Sequence, residues 1–113
     1  MESLSRETIL EQIKEFDSQI NSKHEYFNTI IHAIEKKKEG MEHACVIFLR
    51  MLNYVPMDGT PTIDKEDVTN RLNRCTKWIE EANIIIPTLE STRTTEITPL
   101  IVAKKKLINM LNE

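Results

Sequence analysis

Large apolar side chains recur through the first half of the chain in alternating steps of three and four. The series runs Ile9, Ile13, Phe16, Ile20, Phe27, Ile30, Ile34, Met41, Ala44, Phe48, Met51 and Val55. Written as heptads, Ile13, Ile20, Phe27, Ile34, Met41, Phe48 and Val55 take one position. Ile9, Phe16, Lys23, Ile30, Lys37, Ala44 and Met51 take the other. This spacing puts one greasy stripe on one side of a helix. Leu10, Ile31, Cys45 and Leu52 follow one residue later and widen the stripe, which suits a helical bundle better than a narrow two-stranded zipper. The heptad phase passes through Gly40 without a slip, and a single interior glycine costs a helix only about 1 kcal/mol. The pattern therefore predicts helix 1 over about 5–53 as one rod. The competing reading breaks it at Gly40 into two helices.

Residues 54–63 are punctuated by Pro56, Gly59 and Pro61, with an Asp58-Gly59 turn signal, and are expected to form a loop. Asp64 is a suitable N-cap, followed by Glu66 and Asp67 where negative charge favours a first turn. Helix 2 is predicted over about 64–86, from a stripe of Val68, Leu72, Cys75, Ile79, Ala82, Ile86 and Leu89 that Pro87 interrupts, with Trp78 and Ile85 flanking it. Pro87 removes a backbone donor and clashes with the turn before it, so helix 2 is expected to kink or stop between Ala82 and Ile86. The Ser/Thr-rich stretch then reads as a connection over 87–98. Thr98-Pro99 reads as an N-cap with proline at the first helical position, opening helix 3 over about 99–111. The expected fold is all-α, a three- or four-helix bundle in a single domain, 1–113, built on a long N-terminal heptad helix.

Composition narrows the function more than the fold. Two glycines in 113 residues argue against hairpin-rich β folds and against any backbone cradle for phosphate. The net charge is −3, and neither half of the chain is strongly basic, so the electrostatic footprint of a nucleic-acid binder is missing. The runs Lys36-Lys37-Lys38 and Lys104-Lys105-Lys106 are the local exceptions and read as solvated helix faces or helix-end charges. No apolar stretch approaches the roughly 20 residues of a membrane span, and the N-terminal segment has no apolar core of a signal peptide. Cys45 and Cys75 match no metal or redox spacing and behave as small hydrophobes of a helical stripe, which points to a reducing intracellular setting, cytoplasmic or nuclear.

The chemistry-bearing residues form no catalytic constellation. His24, His32 and His43 are the histidines, and no carboxylate or cysteine cluster completes a metal site around them. His43 and Cys45 are two apart and point to different helix faces, so they make no nucleophile–base pair. Neighbouring carboxylates such as Glu80-Glu81 read as solvated faces. The expectation is no enzyme, no cofactor and no metal. Lys23 and Lys37 interrupt the seam at otherwise apolar positions, where a lysine either fixes register or snorkels to water.

Function then follows from length. At 1.5 Å per residue, a rod over 5–53 is about 74 Å long, while the predicted helices 2 and 3 span roughly 35 and 20 Å. The two short helices cannot cover the rod, so Ile9, Ile13, Phe16, Ile20, Phe27, Ile30 and Ile34 are expected to lie open and to bind a protein partner. The reading is a non-catalytic scaffold or adaptor subunit that works by coiled-coil or bundle pairing, in a homo-oligomer or a hetero-complex, with no nucleic acid and no membrane. The second reading is a compact helical docking module for short peptides, as in transcription, chromatin or trafficking assemblies, with a groove near Trp78 and Ile85.

Overall fold

In the computed structural model, which describes residues 5–55, 57 and 62–113, the chain forms two helices, α1 (Arg6–Leu52) and α2 (Lys65–Leu111), of 47 residues each. The class is all-α, but a three- or four-helix bundle is not what forms. Helix α1 passes through Gly40 unbroken, and a Cβ built on that glycine would meet nothing within 4 Å. Ser5 caps α1: its Oγ accepts the Thr8 amide at 3.2 Å, and its carbonyl takes the first intrahelical bond from Ile9. Asp64 caps α2 in the same way, with Oδ1 accepting the Asp67 amide at 3.1 Å. Glu7 in the first turn of α1 and Glu66 and Asp67 in that of α2 complement the positive end of each helix dipole.

The expected connection over 87–98 and the separate helix 3 over 99–111 are both absorbed into α2. Three physical reasons account for the difference. The apolar stripe continues through the Ser/Thr-rich segment, with Leu89 half-buried and Ile97 buried, and then through Leu100 to buried Leu107. Tertiary packing of such a stripe outweighs weak local propensity. The threonine hydroxyls, which elsewhere pull a chain out of helix, bond back along it. Thr92, Thr94, Thr95 and Thr98 donate to the carbonyls of Thr88, Glu90, Ser91 and Thr94 at 2.7–3.1 Å. Thr98 is therefore a helix-interior residue and caps nothing. Lastly, Pro87 and Pro99 both lie on the exposed side, as do Asn83 and Thr95, whose carbonyls the prolines leave without an amide partner. Water reaches those carbonyls.

Packing divides the chain into two units. Unit 1 comprises Met1–Ile31 with Thr88–Glu113, and unit 2 comprises His32–Pro87. In unit 1 three cross-helix pairs, Asp17 with Lys104, Lys23 with Glu96 and Asn28 with Arg93, fix an antiparallel register: as α1 numbers rise, α2 numbers fall. Its buried residues are Ile9, Phe27 and Ile31 from α1 and Ile97 and Leu107 from α2. The rings of Phe27 and Tyr26 also meet in a T-shaped contact, with centroids 5.3 Å apart and planes at 83°. In unit 2, Val68 and Ala82 are buried, and Ile34, Met41, Cys45, Phe48, Leu72, Cys75, Ile79 and Ile86 are half-buried around them. Among the described residues no side chain is fully enclosed and no polar or charged residue is buried. That is the limit of a two-helix layer, which covers each stripe from one direction only.

Candidate interaction surface

The seven seam residues expected to lie open are largely covered. In unit 1, Ile9 and Phe27 are buried, and Ile13, Phe16, Ile20 and Ile30 are half-buried beneath the second half of α2. Ile34 is half-buried in unit 2. The length argument fails because α2 is as long as α1, having continued through Pro87 and Pro99. The seam is first of all the intrachain packing surface.

Trp78 and Ile85 are seven residues apart on one side of α2 in unit 2. Trp78 is half-buried, Ile85 is 46% exposed, and the Lys37 ammonium stands 4.9 Å from the Trp78 ring centre. Both seam lysines have thus found partners at the margin of the packing. Lys37 lies over an aromatic face, and Lys23 pairs with Glu96 at 3.5 Å. One lysine of each basic run is also ion-paired within the chain: Lys38 sits 3.9 Å from Glu42, and Lys104 binds Asp17. A shallow groove in unit 2 is lined by Glu35, Lys38, Glu39, Glu42, Asn83, Ile86 and Pro87, and neither Trp78 nor Ile85 contributes to that lining.

Beside the seam runs a flank that the heptad pattern does not single out. Leu10, Ile101 and Ile108 in unit 1 are 47%, 38% and 37% exposed, although each is a large aliphatic residue. Leu10 borders a depression of about 300 Å³ with Glu11, Ile13, Lys14 and Asp17. In unit 2, Ile47, Val46 and Leu49 stand exposed on α1, and a second depression of about 320 Å³ joins Ile47, Arg50, Met51 and Tyr54 to Ile63. The signal was present in the sequence. Leu10 widened the heptad stripe by one position, and Ile101 and Ile108 stood next to Leu100 and Leu107.

His24, His32 and His43 are exposed, and Cys45 and Cys75 are half-buried free thiols. Among the described residues no group of three or more histidine, cysteine or carboxylate side chains is placed to hold a metal ion, and no helix is long and apolar enough to cross a membrane. Comparison with protein-family models, with curated proteins and with solved structures found no match. The functional reading therefore stands on the surface just described.

Proposed function

We propose that this chain is a non-catalytic helical interaction subunit, a scaffold or adaptor that works by packing further helices against the exposed aliphatic flank of its own helix pair. The observation that carries the reading is large aliphatic surface left exposed within each unit: Leu10, Ile101 and Ile108 in unit 1, and Val46, Ile47 and Leu49 in unit 2. Exposed aliphatic residues in such number mark association surfaces in soluble proteins. A stripe wider than two helices can cover is the expected design of a chain completed by a third and fourth helix.

The docking-module reading rests on Trp78 and Ile85, a half-buried indole and an exposed aliphatic residue on one helix side. It is weaker, because Lys37 already occupies the Trp78 ring face.

The test of the interaction reading is the mass of the native chain in a gently prepared cell extract, followed by gel filtration and native mass spectrometry. A stoichiometric assembly that survives dilution is expected. Elution at the mass of one chain in that extract would sink the reading.

A further inference from the structure

We propose that unit 1 pairs with unit 1 of a second copy of this chain, through the flank that surrounds the Asp17–Lys104 ion pair, to complete a four-helix bundle. The proposal rests on the interaction reading above and names the partner. Asp17 of α1 and Lys104 of α2 join across one side of the unit, with their side chains 47% and 31% exposed. On α1, Leu10 and Ile13 lie seven and four residues before Asp17, on the same helix side. On α2, Ile101 and Ile108 lie three residues before and four after Lys104, again on one side. Because Asp17 and Lys104 touch, the two sides are the same side of the unit. Four aliphatic residues thus bracket one ion pair in a patch that both helices build.

Such a patch is complementary to itself in one orientation. A two-fold axis parallel to the helices places α1 of one copy over α2 of the other at the same level. Asp17 of each copy then meets Lys104 of the other, and Leu10 and Ile13 meet Ile108. Every neighbouring pair of helices is antiparallel, which also aligns the helix dipoles favourably. A two-fold axis perpendicular to the helices would instead put Asp17 over Asp17 and Lys104 over Lys104, and like charges across an interface are strongly disfavoured. The patch therefore selects both a partner and an orientation. Glu11 and Lys14 border the patch and supply a polar rim.

The experiment is sedimentation velocity of the purified full chain at micromolar concentrations. A dimer is expected for the wild type. Ile101→Asp with Ile108→Asp should weaken dimerisation by about a hundredfold or more, because two-fold symmetry doubles each substitution. Circular dichroism should show its helices retained. Charge reversals at the ion pair add a readout that can be rescued, each checked by circular dichroism for retained helix. Asp17→Lys alone and Lys104→Asp alone should each be monomeric, since each then faces like charge in its own copy. Mixed together they should form a heterodimer, because the Asp17→Lys chain presents two ammonium groups where the Lys104→Asp chain presents two carboxylates. That pairing should hold even though the intrachain pair is repulsive in both variants. A monomeric wild type overturns the homodimer. If the native extract still holds the chain in a larger assembly, the interaction reading survives with an unlike partner, and if it does not, both fall. A dimer that persists in the aliphatic double variant, or charge variants that fail to pair when mixed, overturns this face and this orientation.

Discussion

The Lys37 ammonium stands 4.9 Å from the centre of the Trp78 ring, joining the two helices of unit 2 at the margin of their packing. Trp78 is half-buried while Lys37 is exposed, so the cation reaches the ring from the solvent side. A cation over an indole at a partly exposed site contributes about 0.5–1 kcal/mol. A double-mutant cycle on Lys37→Ala and Trp78→Leu, read by urea unfolding, should return a coupling energy of that size. Zero coupling would mean that the lysine merely snorkels past the ring.

The continuity of α2 is tested at its prolines. Pro87 and Pro99 sit inside the helix with exposed rings. Each deletes one backbone bond, and an interior proline costs a helix about 3 kcal/mol relative to alanine. Pro87→Ala and Pro99→Ala should each raise the unfolding free energy by about 1–3 kcal/mol and increase the helical circular dichroism signal. Had Pro99 opened a separate helix behind a Thr98 cap, its replacement would be neutral or destabilising, since proline at a first helical position is preorganised for it.

These two sites also explain how far the sequence could be read. Helix α1 was legible almost residue by residue, because its heptad phase is regular and Gly40 disturbs neither the phase nor the packing. The Asp64 cap was legible for the same reason: a short polar side chain stood immediately before an apolar stripe. The second half of α2 was not. Local signals there, two prolines and a run of β-branched hydroxyl residues, pointed away from helix. The apolar stripe that overrode them was interrupted by Arg93, which bonds Asn28 across the unit. An arginine at a seam position looks like a break in a sequence and becomes a cross-helix donor only once the register is known. The error then propagated. A truncated α2 made the seam of Ile9 to Ile34 look open, whereas the surface left exposed is the flank carrying Leu10, Ile101 and Ile108.

Gly40 gives a third prediction. It lies within α1, and a methyl group added there meets open space. Glycine in a helix interior is less favourable than alanine by about 0.8–1 kcal/mol. Gly40→Ala should therefore stabilise the chain by about that amount, measured as a rise in the denaturant midpoint with an unchanged slope. A destabilised variant would show that the helix bends or breaks at this point.

Phe27 supplies the sharpest contrast between neighbours. Phe27 is buried in unit 1, and Tyr26 beside it is 63% exposed with its ring T-shaped to that of Phe27. Phe27→Ala removes a large core side chain from a layer with few buried residues and should cost about 3–5 kcal/mol. Tyr26→Ala should cost only the edge contact, about 0.5–1.5 kcal/mol. A two-helix unit has no third layer to relax into the space Phe27 leaves, so the loss should lie at the upper end of its range. The helix signal of unit 1 should then melt at a lower temperature than in the Tyr26 variant. If the two substitutions prove equal, the ring of Phe27 is not held between α1 and α2, and the register set by Asp17–Lys104, Lys23–Glu96 and Asn28–Arg93 would have to shift with it.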